Sequence, residues 1–171
     1  ALELTLSQFG FPLRSITVKS SPIVADLDED GYKEIYFGSD NNLLHGHNSF
    51  GEELVGFPFQ STDRIRSSPA IGDVDNDGQM EIVFGNSSGK LYIINQDGSQ
   101  QLAYTQLGFV EGAPALVDID GDQDLEIIFT TTTGSGGQVY VIHHNGATES
   151  GFPKEIGSMF AGPAVHDLDN D

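Results

Sequence analysis

The sequence predicts an all-β chain of β-propeller blades, each of four antiparallel strands, in three complete repeats with a fourth cut short. Three observations carry that expectation. A proline motif returns at a nearly fixed interval, strand-sized apolar segments separated by turn residues fill each interval, and an acidic loop stands at the same place in every copy. Self-similarity at a period of about 20–50 residues marks arrays, solenoids and propellers.

The motif reads Ser21-Pro22-Ile23-Val24-Ala25-Asp26-Leu27-Asp28, and it returns from Ser68 to Asp75, from Ala113 to Asp120 and from Gly162 to Asp169. Its prolines, at 22, 69, 114 and 163, are 47, 45 and 49 residues apart. Each of the first three copies runs on into a β-rich segment: Glu34 to Gly38, Glu81 to Gly85 and Glu126 to Thr130. Ile71 to Asp75 and Glu81 to Gly85 are apolar runs of strand length, and Lys90 to Asn95 supplies a third strand. A fourth is expected to precede or include Gly56-Phe57-Pro58. Asp97-Gly98 and Asn145-Gly146 are tight-turn dipeptides, with Phe50-Gly51 in the same place in the first repeat. The turn glycine follows Phe37, Phe84 and Phe129 by 14, 14 and 17 residues, so the third repeat carries an insertion, expected in the flexible run from Thr130 to Gly137. The first two strands of each repeat read as apolar on both faces, as sandwiching between neighbouring blades demands. Paired helices are excluded by segments this short, this β-branched and this punctuated by Gly and Pro.

The resulting division is an N-terminal strand or blade remnant at 1–9, blades at 10–55, 56–102 and 103–150, and a partial fourth blade at 151–171. Propellers close with about four to eight blades. The array is therefore expected to belong to a longer polypeptide or to draw its missing surfaces from neighbouring molecules.

Charge narrows the partners. Seven Lys and Arg face 26 Asp and Glu, a formal net charge of -19, which repels nucleic-acid phosphates and anionic membrane surfaces and favours cations. There is no cysteine, so disulfides play no part. No apolar run approaches the ~20 residues that span a bilayer, so no membrane insertion is expected. Ala1-Leu2-Glu3 opens no basic and apolar signal segment and reads as a processed or excised start. Seventeen of the 26 acidic residues fall at 26–34, 73–81, 118–126 and 167–171. Like charges so crowded repel unless something positive sits among them.

The loops follow the pattern Asp-x-Asp-x-Asp-Gly-x-x-Glu. Candidate ligands are Asp26, Asp28, Asp30, Tyr32 and Glu34 in the first, and Asp73, Asp75, Asp77, Gln79 and Glu81 in the second. The third offers Asp118, Asp120, Asp122, Asp124 and Glu126, and the fourth Asp167, Asp169 and Asp171. Ca2+ takes about six to eight oxygens from carboxylates and a backbone carbonyl, which Tyr32 or Gln79 can offer at position 7 while the glutamate closes the shell. Mg2+, with its small octahedral shell, suits such a cage less well. An EF-hand is excluded because its closing glutamate, at position 12, is here Phe37, Phe84 or Phe129. Position 2 (Leu27, Val74, Ile119, Leu168) is read as a core side chain between the first two ligands. The third loop puts Gln123 where the first two have glycine, and the fourth holds only three aspartates. The expected order of affinity therefore runs from the first two loops, through the third, to the fourth.

The string Ser-Pro-x-x-x-Asp-x-Asp-x-Asp-Gly-x-x-Glu-Ile-x-Phe-Gly is complete at 21–38 and 68–85, and Gly-Phe-Pro recurs at 10–12, 56–58 and 151–153. Over residues 10–171 the chain resembles FG-GAP or VCBS repeats, which are similar to the blades of the integrin α-subunit propeller. That resemblance implies calcium in hairpin loops, an extracellular or cell-surface setting, and adhesion or ligand binding, with no particular ligand.

Blander readings fit the remaining polar residues. His45 and His47 share a strand face and could take a transition metal, but they align with Tyr92 and Ile94 and with Tyr140 and Ile142, so ordinary core or rim positions account for them. His143-His144 approaches a turn, and His166 precedes the fourth loop. No nucleophile elbow or phosphate-cradling loop is present, and carboxylates repeated in every copy suit a structural role better than catalysis, so no enzyme is expected. The alternatives to an adhesion module are a spacer or filament unit assembled head to tail, and a non-catalytic carbohydrate-binding portion of a larger secreted enzyme. Their partners would be a protein or glycan ligand, or further copies of the chain.

Overall fold

The computed structural model describes residues 16–106 and 108–166. The N-terminal remnant at 1–9, the first Gly-Phe-Pro and the fourth loop's Asp167, Asp169 and Asp171 lie outside the described residues. All regular structure among the described residues is β, and no helix there is long and apolar enough to cross a membrane.

Twelve strands form three four-stranded antiparallel sheets. The first holds β1 (Ile23–Ala25), β2 (Glu34–Gly38), β3 (Leu43–His47) and β4 (Phe59–Gln60). The second holds β5 (Ala70–Gly72), β6 (Glu81–Gly85), β7 (Lys90–Asn95) and β8 (Gln100–Thr105). The third holds β9 (Ala115–Val117), β10 (Glu126–Thr132), β11 (Gly137–Ile142) and β12 (Lys154–Ile156). Each sheet pairs its strands in chain order, as a meander of hairpins does.

Side chains alternate between sheet faces, and both faces of the central sheet are apolar because both are covered. Ile82, Phe84, Tyr92 and Ile94 pack with Tyr36, Leu44 and Phe57 of the first sheet. The intervening Val83, Leu91 and Ile93 pack with Ile127, Phe129, Tyr140 and Ile142 of the third. Each such side chain contributes roughly 1.5–3 kcal/mol when removed from water. Backbones also approach between the sheets. A Cβ added to Gly56 would overlap the Asp97 carbonyl, so the Gly-Phe-Pro turn of the first repeat rests on the Asp97-Gly98 turn of the second. Arg66, in the link between the first two sheets, donates from Nε to Asp40 at 2.9 Å and lies 3.8 Å from Glu111.

Several expectations are corrected. The fourth strand of the first sheet follows Gly56-Phe57-Pro58, because Phe59 and Gln60 are the residues that pair with β3. The hydrogen-bonded sheets span 23–60, 70–105 and 115–156. The second and third strands are the ones buried on both faces; β1, with a single strand neighbour, leaves Val24 exposed. The insertion in the third repeat is mostly ordered, lengthening the β10–β11 hairpin through Thr132↔Gly137 and leaving only 133–136 as a turn.

Position 2 of the acidic loops behaves as expected in two cases and not in the third. Leu27 is 2% exposed and Val74 is fully buried, each seated among residues of the following sheet, whereas Ile119 is 51% exposed. The socket for this residue is made by the next sheet, and no fourth sheet stands beside the third among the described residues.

Candidate metal centres

Each acidic loop joins the first strand of a sheet to the second, β1 to β2, β5 to β6 and β9 to β10, so the fold repeats the loop at one place in every sheet. Within a loop the backbone amides turn inward onto the carboxylates. The position-6 amide donates to the first aspartate: Gly31 to Asp26 Oδ2 at 3.0 Å, Gly78 to Asp73 Oδ2 at 2.9 Å, and Gln123 to Asp118 Oδ2 at 3.2 Å. The position-7 amides of Tyr32, Gln79 and Asp124 donate to Oδ1 of Asp30, Asp77 and Asp122 at 2.7, 2.8 and 3.2 Å. The closing glutamate is tied down in the same manner, accepting from the position-2 amide: Leu27 to Glu34 at 3.0 Å, Val74 to Glu81 at 3.0 Å, and Ile119 to Glu126 at 2.8 Å.

The wrapping brings together the oxygens of Asp26, Asp28 and Glu34, and those of Asp73, Asp75 and Glu81, with each set inside a 4.8 Å span. Asp26 Oδ1 and Asp75 Oδ1 are buried and accept no hydrogen bond. A buried acceptor without a donor costs about 1–3 kcal/mol, so orphaned oxygens at the centre of an all-oxygen donor set fit a hard cation. The same crowding acts on the glutamates. Burial foremost, with further push from Asp75, Asp77 and Asp73, raises the Glu81 carboxyl to about 7. Glu34 is raised as well, again mainly by burial. A polar cavity opens over Asp75, Asp77 and Glu81, and Gln101 of β8 donates from its rim to Asp75 Oδ2 at 2.8 Å.

Backbone torsions remove one reason for ranking the third loop below the others. Position 6 lies in the left-handed region in all three, at φ 90 for Gly31, 88 for Gly78 and 85 for Gln123. Position 4 does so too, at φ 57 for Glu29, 56 for Asn76 and 81 for Gly121. Each loop thus holds one glycine and one non-glycine residue in this conformation, and the third merely exchanges their places. The asparagine in the second loop is the best tolerated of the three substitutes.

The third loop differs in its surroundings. His143 follows β11 and sets Nδ1 3.0 Å from Glu126 Oε1 and Nε2 3.1 Å from Glu149 Oε2, while His144 Nε2 lies 3.3 Å from Asp124 Oδ2. His143 offers a nitrogen to a group with Asp120 and Glu126, and a nitrogen to a second group with Asp122 and Asp124. Burial would lower the His143 pKa, but the Glu126 and Glu149 carboxylates outweigh it and the net shift is upward. Sequence reasoning left His143 at a turn approach. Its counterpart in the second sheet, Asn95, pairs directly across from Glu81, and that register is the signal that places it at the loop.

The first sheet carries a separate cluster. His45 and His47 are each 5% exposed, stacked with Phe37, and grouped with Glu53. His45 is pushed below the usual histidine range by burial, then by His47.

Sheets of four strands, each with the same carboxylate-rich loop between its first two strands, define a repeat module of the propeller-blade class. The chain belongs to the FG-GAP-like repeat family, whose model matches residues 26–84 and again 73–129. No curated protein sequence matches the chain. Among solved structures, that of BBS1N in complex with ARL6DN, soaked with lead, superposes with a TM-score of 0.61 at 11% identity, covering 96% of this chain and 50% of that one. The V. cholerae biofilm matrix protein Bap1 matches at 19% identity with a TM-score of 0.37, covering 75% of this chain and 27% of that one. The chain thus spans half or less of each of these two solved chains.

Proposed function

We propose that this chain is a calcium-binding β-propeller repeat module of an extracellular or cell-surface protein, in which structural Ca2+ holds the hairpin loops and the scaffold serves adhesion or the binding of a protein or glycan. The observation that carries the reading is the convergence of Asp26, Asp28 and Glu34, repeated at Asp73, Asp75 and Glu81, with Asp26 Oδ1 and Asp75 Oδ1 buried and unpartnered. Asp118, Asp120, Asp122, Asp124 and Glu126 form the third site of the series. The role is structural and not catalytic, since equivalent carboxylates recur in each sheet. Membership in the FG-GAP-like family supports the extracellular setting.

Extracellular modules bind Ca2+ with dissociation constants of about 10⁻⁴–10⁻³ M, so ~2 mM ion adds roughly 0.7–1.8 kcal/mol per site by mass action. Calorimetric titration together with melting in chelator and in Ca2+ tests the reading. Heat of binding and a raised Tm are expected; a melting curve indifferent to both would overturn it. A second reading, assembly with further copies, draws on the exposed Ile119, Phe160 and Val165 on or beside the third sheet.

A further inference from the structure

We infer that His45, His47 and Glu53 form a second kind of metal site, for a zinc-class divalent transition ion, distinct from the acidic loops.

The two histidines lie two residues apart on β3 and so share a face. Glu53 is bridged to His47 across the hairpin, which sets its side chain on that same face. One ligand atom from each of the three falls within 4.8 Å of the others, and His45 Nδ1 lies 3.8 Å from Glu53 Oε1. In a tetrahedral shell with bonds of about 2.0–2.2 Å, neighbouring ligands sit roughly 3.3–3.6 Å apart. Rotation of the Glu53 side chain, 45% exposed, closes that difference.

The unmet hydrogen-bonding capacity is what points to a ligand. His45 Nε2, His47 Nδ1 and His47 Nε2 are all buried without a hydrogen-bond partner. A histidine placed only for packing would ordinarily turn at least one nitrogen to a donor or acceptor, since an unpaired buried polar atom costs about 1–3 kcal/mol. The equivalent tyrosines meet that requirement: Tyr92 Oη contacts Thr62 Oγ1 at 3.0 Å, and Tyr140 donates to Gln138 Oε1 at 2.6 Å. By strand register, Glu53 stands where the other sheets have Gln100 and Thr148. Three positions that meet in space therefore carry ligand residues in the first sheet, against Tyr, Ile and Gln in the second. Imidazole with carboxylate suits Zn2+ and Co2+, whereas Ca2+ takes oxygen.

The test titrates Co2+ or Zn2+ into the chelator-stripped 171-residue chain under saturating Ca2+, which occupies the acidic loops. Binding is followed by calorimetry and by the Co2+ ligand-field spectrum. His45→Tyr and His47→Ile install residues that the second sheet already accommodates, so both should fold. Each should weaken Co2+ binding by more than the ~10–100-fold typical of outer-shell losses. Glu53→Gln should weaken it as well, and His143→Asn, the second repeat's residue at the third loop, should leave it unchanged. Absence of binding to the unaltered chain, survival of binding in the His45→Tyr, His47→Ile double variant, or loss only in His143→Asn would each overturn the inference. Should a variant fail to fold, imidazole NMR of the unaltered chain decides. Zn2+-induced shifts at His45 and His47 support the site, and shifts confined to His143 or His144 refute it.

Discussion

Replacing Glu81 by glutamine separates the electrostatic load of a loop from its architecture. The Glu81 carboxyl is 2% exposed and raised from 4.5 to about 7, chiefly by burial. Because the folded chain holds this proton more tightly than the unfolded one, its contribution is present below pH 4.5, declines across 4.5–7, and is gone above. At about 1.4 kcal/mol per unit, the ionised glutamate destabilises the ion-free protein by about 3 kcal/mol at pH 8. Glutamine keeps the oxygen that accepts from the Val74 amide and removes the charge. In chelator at pH 8, Glu81→Gln should therefore melt higher than the unaltered chain by about 6–12 °C, at ~2–4 °C per kcal/mol for a chain of this size. At pH 4 the two should coincide. In Ca2+ the order should reverse at pH 8, because the variant has lost a ligand. Glu34 and His143, both raised, tilt the pH dependence of the whole chain in the same direction, so the difference between the two proteins is the diagnostic quantity. A Glu81→Gln protein less stable than its parent in chelator at pH 8 would refute the reasoning.

Other outcomes follow from the same geometry. Asp28→Ala and Asp75→Ala should each remove one calcium equivalent in calorimetric titration and lower the Tm in Ca2+ with little change in chelator. Gln123→Gly, at φ 85, should raise stability by about 1 kcal/mol, while Gly121→Ala, at φ 81, should lower it by about the same; denaturant midpoints measure both. Gly85→Ala should destabilise by roughly 1–3 kcal/mol or more, because the new Cβ would overlap Val110, whose side chain and carbonyl close over that glycine.

Much of the fold was legible because its signals are local and redundant. Glu34–Gly38, Glu81–Gly85 and Lys90–Asn95 have the bounds expected from apolar runs between acidic loops and tight turns. Phe59–Gln60 was missed because a two-residue strand has no periodicity to detect; only its pairing with Leu43 and Leu44 defines it. The aspartate spacing located the loops, but not the second left-handed position, since Glu29 and Asn76 occupy it without a glycine to announce it. His143 was illegible for a different reason: its partner Glu126 lies across a hairpin lengthened by the insertion, and only strand register connects them. The exposure of Ile119 likewise depends on a neighbouring sheet and not on its own sequence.

The amide of Leu27 is held by Glu34 while its side chain joins the buried cluster that includes Ile82, Phe84 and Ile94 of the following sheet, and Val74 repeats the arrangement one sheet on. One residue therefore acts as a dowel, with its head set in a loop and its shank driven into the adjoining sheet. Whatever tightens the loop tightens the joint between repeats, and whatever slackens it lets two sheets part along that seam. Under tension applied through the array, the seams should yield before the sheets themselves, and the grip on each seam is set by the loop on the sheet before it.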